Sequence, residues 1–504
     1  MGVVAGAVRE HRVRLSVDAV LVALGALVVL AAVLRFTALS SQSYWIDETV
    51  TAARLHGSFY DTLAAFHRPD ESEGPLYFVV GWFWARVFGT DEFGLRSLSA
   101  LLGILTVPVA FETGRMLMNR RVGLAVAALV AVSPVMVWYS QEARAYALFV
   151  LLSALSFLFF VRLLESPRAL NYAGWSVASS LALVTHYFAL FPIVGEAAWL
   201  LLRRRSRETK LAVGGICLTA LAISPFALYQ AQHGGGDWDA VVSVGRRLGD
   251  VGRVFVTGVA RPPHDLSPVL LTLFACAVAI VMVSGRSRAR RAASIAVALS
   301  AVTIGLPLVG IAVGQDYFFF RNVIAIWIPL AVAVASLTVV PRWRAAGLML
   351  VAITCGAFLY YDHAIATTKQ IQRDDWRHIA LVLGRPNEAR VVVVTPWVQE
   401  TPLAWYEPCL RRTRAPQAVR VVDWVGYYDL FAPVRGLKRP LRPGPPFRMV
   451  TRKRSGSIVV TQFRASRSTL VHPTALLKNG PSPSRVYLDP RRTGRTPPEG
   501  GPCG

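Results

Sequence analysis

Eleven long apolar segments constrain this chain more than any other feature of its sequence. A helix of about 20 apolar residues crosses the roughly 30 Å hydrocarbon core of a bilayer, and its backbone polar groups are satisfied internally. Hydrophobic residues make up 54% of the 504 residues. We therefore predict a polytopic α-helical membrane protein with about eleven transmembrane helices. The predicted spans are Val17–Leu39, Leu95–Met118, Val122–Tyr139, Ala145–Leu164, Tyr172–Thr185, Phe188–Leu202, Leu211–Tyr229, Leu266–Ser284, Ser294–Val313, Val323–Val340 and Ala345–Tyr361.

A further apolar segment, Pro75–Phe88, is predicted not to cross the membrane. It has 14 residues, which is short for a span. Its Trp82, Trp84 and Arg86 are typical of helices at the membrane–water interface. The first outer loop, residues 40–93, is thus predicted to contain interfacial helices.

Basic clusters predict the orientation, because short loops rich in Lys and Arg stay cytoplasmic. With eleven crossings, all of the basic clusters lie on the same side of the membrane as the N-terminus. We expect a multi-pass protein of a bacterial plasma membrane, with a cytoplasmic N-terminus and an extracytoplasmic C-terminal domain. No cleavable signal peptide is expected. The basic clusters lie at residues 9–14, 119–121, 162–168, 203–210, 285–292 and 341–344.

The last 142 residues have a different character. "RDDWRHIALVLG" predicts an amphipathic helix, and "ARVVVVTPW", "VRVVDWV" and "SIVVTQF" predict strands. We therefore divide the chain into a membrane domain (1–362), a small extracytoplasmic α/β domain (363–475) and a tail (476–504) rich in Pro, Gly and Arg that is predicted to be disordered. Cys409 and Cys503 would form a disulfide if this region faces an oxidising compartment, which the sequence leaves open.

Several polar residues are predicted at one membrane depth, in four outer loops. Transfer of a sugar from a lipid phosphate needs a carboxylate to accept the acceptor's proton and cations to hold the phosphate, at the depth of the lipid headgroups. This set supplies both kinds of group. The candidate residues are Asp47, Glu48, Glu142, Arg144, Tyr146, His186 and Arg321.

The order of these motifs resembles a known family. The stretches are "YWIDE", "GPLYFVVGWFWARVFGTDEFGLRSLSALLGILTVPVA", "SPVMVWYSQEARAYAL", "THYF" and "FRNVIAIWIPLA". Together they resemble the bacterial C-fold membrane glycosyltransferases of the protein O-mannosyltransferase and aminoarabinose (lipid A) transferase type. The resemblance covers residues 17–329, and "DDWRHIALVL…VVVVTPW" is similar to the outer domain of bacterial members.

The resemblance implies an inverting transferase that takes a mannose- or arabinose-like sugar from a polyprenyl-phosphate donor. It implies that Asp47 is the base and Glu48 its partner, and that Arg144 and Tyr146 lie near the donor. Glu142, His186 and Arg321 are further candidates for the donor and phosphate site. The chain departs from the family at "SEGPLYF", where many members carry His-Pro-Pro before the Leu-Tyr pair, so contacts to the acceptor or a metal are uncertain there.

Cofactors and partners follow from the same interpretation. A divalent cation (Mg or Mn) is left open, since Asp70, Glu71 and Glu73 form an acidic cluster, although a solvated loop is the favoured interpretation. The expected partners are the lipid-linked donor, an envelope glycan, lipid or protein acceptor, and membrane lipids, with no nucleic acid. The alternatives are a transporter or flippase of an envelope precursor, and a non-catalytic scaffold. Transporters place their charged groups near the midplane, whereas these cluster at one face.

Cysteine labelling tests the predicted topology. Cysteines introduced singly at Ser58 and Ser206 should react with a membrane-impermeant reagent from opposite sides of the membrane, because an odd number of spans separates the two loops. Reaction of both positions from the same side would contradict the eleven-span arrangement.

Overall fold

The computed structural model describes residues 16–67, 73–233, 242–384, 388–395, 399–427, 443–478 and 484–489. Helices dominate the chain as far as residue 367, and a small sheet follows. The helices are α1 (Val17–Phe36), α2 (Ile46–His56), α3 (Phe59–Ala64), α4 (Leu76–Phe88), α5 (Glu92–Leu117), α6 (Arg120–Ala131), α7 (Pro134–Ser140), α8 (Tyr146–Glu165), α9 (Ala169–Thr185), α10 (Leu190–Arg203), α11 (Arg207–His233), α12 (Val244–Thr257), α13 (Ser267–Ser284), α14 (Ser287–Ala312), α15 (Trp327–Ala335), α16 (Arg344–Thr367), α17 (Trp376–Leu383), α18 (Glu400–Tyr406) and α19 (Pro473–Lys478). The strands are β1 (Arg390–Thr395), β2 (Arg411–Arg412), β3 (Gln417–Tyr427), β4 (Arg448–Ser455), β5 (Ile458–Val471) and β6 (Arg485–Asp489).

The membrane-spanning helices confirm a polytopic protein but not the full count of eleven crossings. Within the described ranges, eight helices are long and apolar enough to cross a membrane, and α6 with α7 makes a ninth if the pair is one bent span. The predicted fifth and sixth spans form α9 and α10, with 17 and 14 residues. At 1.5 Å per residue they rise only about 26 and 21 Å, short of a 30 Å core. Because the two are consecutive, leaving both out does not change the predicted side of any later loop.

The pair α6 and α7 is a helix broken at Pro134, with a bend of 57°. Proline cannot continue the hydrogen-bond ladder, so carbonyl groups before the break need other donors. Arg35, buried at the end of α1, donates from Nη2 to the Val130 carbonyl (3.1 Å) and from Nη1 to the Ala131 carbonyl (2.7 Å). Its Nε donates to the Ser140 hydroxyl (3.2 Å). The arginine therefore fixes the bend that leads into the "SQEARAY" loop.

Three short helices, α2, α3 and α4, form the predicted first outer loop. The 13 residues of α4 rise about 20 Å, too little to cross the bilayer. Ser58 and Asp61 form a reciprocal capping box that starts α3. Asp91 caps α5 by accepting the N–H of Gly94 (2.7 Å).

The C-terminal domain is a six-stranded sheet in the order β2-β6-β1-β3-β5-β4. β1 pairs with β3 in parallel, and the other neighbours are antiparallel. The four valines of β1 alternate between two buried clusters, one on each face of the sheet. The helix and the three strands predicted in this region are confirmed. Cys409 is disulfide-bonded, and Cys503, the partner that the sequence left open, lies outside the described residues.

The predicted boundary of this domain at residue 475 was too early. The strand β6 lies between β2 and β1, second from one edge of the sheet, where the sequence indicated a disordered tail. Val486 and Tyr487 are buried, and Asp489 pairs with the buried Arg390 (2.7 Å). A five-residue strand flanked by Pro, Gly and Arg gives only a weak pattern, and its burial depends on β1, which is distant in sequence. Residues 490–504 lie outside the described part of the chain.

A matched pair of substitutions tests the place of β6. Val486→Asp puts an unpaired carboxylate into the interior and should destabilise the domain by roughly 4 kcal/mol or more. Val450→Asp makes the same change on the exposed face of β4 and should have little effect. Hydrogen exchange of the β1 amides in the full-length protein measures both. Equal protection in the two variants would mean that β6 is not part of the folded domain.

Candidate active site

Glu48 is the centre of the predicted outer cluster, and it is fully buried. Its Oε1 and Oε2 accept hydrogen bonds from Nε (2.7 Å) and Nη2 (2.6 Å) of Arg96 on α5. Its Oε1 also accepts the N–H of Ala143 (2.9 Å). Arg96 donates in addition to three carbonyl groups of the segment between α1 and α2, those of Leu39 (2.6 Å), Gln42 (2.7 Å) and Ser43 (3.0 Å). This ion pair joins the start of α2 to α5 and to the "SQEARAY" loop.

Arg373, from the segment before α17, extends this network. Its Nη2 donates to Glu142 Oε2 (3.3 Å) and to the Trp138 carbonyl (3.1 Å). Its guanidinium lies over the Trp138 ring, 4.2 Å from the ring centroid. Its Nε lies 3.9 Å from Glu48 Oε2. Burial raises the pKa of the Glu142 carboxyl to about 7, against the opposing charge of Arg373. The segment that leads into the C-terminal domain thus places a cation among the loop carboxylates.

Arg144 is paired inside the protein rather than open to a ligand. Its Nη2 lies 2.8 Å from Glu73 Oε1, and both side chains are buried. Its Nη1 lies 3.5 Å from the Asp47 carbonyl and from the Thr51 hydroxyl. Arg144 therefore supports the first turn of α2, next to Asp47.

The glycine in "SEGPLYF", where the chain departs from the family pattern, has a physical reason. Gly74 donates its N–H to the Thr185 carbonyl (3.2 Å), and a Cβ atom at this position would collide with the Val184 carbonyl. Only glycine allows this close approach of the loop to the end of α9. The approach brings Glu73 within reach of Arg144. The interpretation of Glu73 as part of a solvated loop is therefore wrong, while Asp70 and Glu71 lie outside the described residues.

Asp47 and Arg321 are the accessible members of the cluster. Their side chains are 28% and 29% exposed, and Asp47 Oδ2 lies 3.9 Å from Arg321 Nη1. The loop of Arg321 is held by Arg247 of α12. Its Nη1 and Nη2 donate hydrogen bonds to the Asp316 carboxylate (2.6 Å each), and Nη1 also donates to the Phe318 carbonyl (2.8 Å). An acid and a cation thus face each other at the surface, on a buried frame.

Tyr146 and His186 meet in a buried aromatic cluster beside this pair. The His186 ring stacks on Phe149, with the ring centroids 4.9 Å apart, and lies 5.5 Å from Tyr146. Its Nδ1 accepts the N–H of Phe188 (3.4 Å), and burial lowers the pKa of His186 to about 3. The imidazole is therefore neutral at physiological pH, and its visible role is packing.

Contacts bring the predicted site residues together: Arg144 and Arg321 approach Asp47, Glu48 and Glu142 both approach Arg373, and Tyr146 packs against His186. Sequence reasoning missed Arg96, Glu73 and Arg373, which pair with Glu48, Arg144 and Glu142. In the part of the chain that the structure describes, no three His, Cys, Asp or Glu side chains are grouped to hold a metal ion. The candidate divalent cation stays a prediction.

Comparison with known proteins gives a family match and a shared fold. Residues 70–229 match the model of the family described as dolichyl-phosphate-mannose-protein mannosyltransferase. Among solved structures, ArnT from Cupriavidus metallidurans bound to undecaprenyl phosphate has a TM-score of 0.51 at 13% identity, covering 87% of this chain and 97% of that chain. This likeness shows a common fold over most of both proteins. No curated protein sequence matches the chain.

Two other solved structures are similar at a lower level. The Archaeoglobus fulgidus oligosaccharyltransferase has a TM-score of 0.45 at 13% identity, covering 76% of this chain and 61% of that chain. The mycobacterial arabinofuranosyltransferase AftD has a TM-score of 0.46 at 14% identity, covering 90% of this chain and 40% of that chain.

The buried Glu48 predicts a dependence of stability on pH. Burial alone would raise the pKa of Glu48, but the charge and hydrogen bonds of Arg96, the charge of Arg373 and the Ala143 N–H hold it below its ordinary value of 4.5. The stabilisation is present above pH 4.5 and is lost as the pH falls through the lower folded-state pKa. Glu48→Gln should remove this acid-dependent loss and destabilise the protein by about 3–5 kcal/mol at neutral pH, because Arg96 stays buried without its counter-charge.

Melting temperatures between pH 3 and 8 in detergent measure this effect. Glu165→Gln is the control, since Glu165 forms an exposed pair with Arg288 that should contribute at most about 1 kcal/mol. Equal melting profiles for the two variants would show that the Glu48–Arg96 pair does not hold the loop together.

Proposed function

We propose that this chain is a membrane glycosyltransferase of the GT-C superfamily, and that it transfers a mannose- or arabinose-like sugar from a polyprenyl-phosphate donor to an acceptor hydroxyl of the cell envelope. The reaction would take place at the outer face of a bacterial plasma membrane. The acceptor would be a glycan, a lipid or a protein. The observation that carries the proposal is the accessible Asp47–Arg321 pair on a frame of buried ion pairs.

The proposed chemistry is a direct displacement at the anomeric carbon. The acceptor oxygen attacks C1 of the sugar, and the bond between C1 and the phosphate oxygen breaks. The electron pair of that bond leaves with the polyprenyl phosphate, and the acceptor proton passes to the Asp47 carboxylate. Attack from the side opposite to the phosphate inverts the anomeric configuration.

Asp47 is the better candidate for the base than Glu48. Glu48 accepts hydrogen bonds from Arg96 and Ala143 and is closed to solvent, so it has no room for an acceptor hydroxyl. Asp47, one residue earlier, is partly exposed and is held by the same helix turn. Glu48 is therefore a positioning residue in this proposal, and the predicted catalytic pair reduces to one base.

Arg321 is the better candidate for the donor phosphate than Arg144. It is partly exposed and lies beside Asp47, whereas Arg144 is buried against Glu73. A guanidinium in this position would bind the phosphate in the ground state and stabilise the charge that develops as it leaves.

Asp47→Asn tests the base. The amide keeps the size of the side chain but cannot take the proton, so turnover should fall on the order of 100-fold or more, while donor affinity changes far less. Transfer of radiolabelled sugar to an envelope extract and equilibrium binding of the donor measure the two quantities. Wild-type turnover in a folded Asp47→Asn protein would show that Asp47 is not the general base.

Arg321→Ala tests the phosphate contact. Donor affinity should fall roughly tenfold or more with an unchanged melting temperature, and Arg321→Lys should recover part of it, since lysine lacks the planar fork. Arg144→Ala is the matched comparison. Its loss leaves Glu73 buried without its counter-charge, so affinity and melting temperature should fall together. Unchanged donor binding in Arg321→Ala would reduce this arginine to an interface anchor.

A further inference from the structure

We propose that the membrane domain has a second lipid site, which binds an anionic glycerophospholipid at the membrane end opposite to Asp47. The site is a groove between α1, α6 and α16 with a volume of about 570 Å³, within the roughly 300–1,000 Å³ typical of ligand sites. Nine of the eleven residues that line it are apolar and two are arginines. The lining residues are Ala23, Ala26, Leu27, Leu30, Arg121, Leu124, Ala125, Ala128, Arg344, Leu348 and Val351.

The two arginines of the groove lie at the ends of their helices that face away from the candidate active site. The lining runs from Ala23 to Leu30 in the middle of α1, from Arg121 to Ala128 in α6, and from Arg344 to Val351 in the first turns of α16. Asp47 follows the opposite end of α1, and Arg35 at that end contacts the carbonyl groups that finish α6. The phosphate of the lipid-linked donor, which the proposed function places at Asp47, would therefore lie at the other end of these helices.

Small side chains keep the groove open. Ala23 and Ala26 of α1 and Ala125 and Ala128 of α6 line it. In membrane helices such residues normally allow close helix contact, but here they border a cavity. An acyl chain of a phospholipid would fill it and lie against the apolar side chains.

The charge of the groove selects the headgroup. Arg121 is the second residue of α6 and Arg344 is the first residue of α16, so both guanidinium groups start at the same end of an apolar wall. A phosphodiester between them would form charge-assisted hydrogen bonds, whereas a choline headgroup would bring its own cation towards them. Arg120 and Arg342 are near these residues in sequence but do not line the groove. They therefore serve as control positions with the same charge.

Lipid titration of the full-length protein in detergent tests the site. The probes are dioleoyl phosphatidylglycerol and dioleoyl phosphatidylcholine, and native mass spectrometry counts the bound lipid. Phosphatidylglycerol should bind wild-type protein about tenfold more tightly than phosphatidylcholine. The double variant Arg121→Gln, Arg344→Gln should lose about tenfold in phosphatidylglycerol affinity. The matched control Arg120→Gln, Arg342→Gln should bind like the wild type.

A second variant separates the groove from its charges. Ala26→Phe fills the groove and should weaken the binding of both lipids, with turnover of the lipid-linked donor unchanged. Equal phosphatidylglycerol binding by wild type and the arginine double variant would overturn the proposal, as would equal affinity for the two lipids. Displacement of phosphatidylglycerol by polyprenyl phosphate in an arginine-dependent manner would assign the groove to the product lipid and overturn it too.

Discussion

The buried ion pair between Glu48 and Arg96 organises the end of the membrane domain that faces the C-terminal domain. A carboxylate without solvent contact is unfavourable unless charge and hydrogen bonds compensate it. Arg96 and the Ala143 N–H supply this compensation, and Arg96 further binds three carbonyl groups of the chain that leaves α1. The position of Asp47 follows from that pair, because the two carboxylates are adjacent in the first turn of α2.

The C-terminal domain and the segment that leads into it are part of this arrangement. Arg373 contacts Glu142, Arg377 pairs with Glu92 (2.6 Å), and the Tyr406 hydroxyl accepts the Tyr44 N–H (2.7 Å) and donates to Glu92 (2.7 Å). The Ser43 hydroxyl accepts the Trp376 N–H (2.8 Å) and donates to the Asp374 carbonyl (2.8 Å). These contacts surround the segment that precedes Asp47. The C-terminal domain therefore contacts the segment between α1 and α2 on one side, while Arg96 of the membrane helix α5 contacts it on the other.

The sequence was informative where the signal is local. Apolar length and periodicity predicted the membrane helices and the valine-rich strands, and the positions of polar residues between spans predicted a single cluster. The pairing inside that cluster was not predictable, since Glu48 and Arg96 are 48 residues apart and Glu142 and Arg373 are 231 apart. Glu73 looked like a loop residue because its burial depends on the contact of Gly74 with the end of α9. The strand β6 was missed for the same reason, since its partner β1 lies about 90 residues earlier.

Transfer by the purified wild-type protein tests the central claim most directly. The protein would be incubated with a panel of polyprenyl-phosphate sugars labelled at the anomeric carbon, together with an envelope extract, and the released lipid and the configuration of the product would be determined. We predict stoichiometric release of polyprenyl phosphate with one donor and an inverted glycosidic linkage, in the absence of any ion gradient. Movement of an intact lipid-linked sugar that requires a gradient, with no cleavage of the bond between sugar and phosphate, would contradict the account.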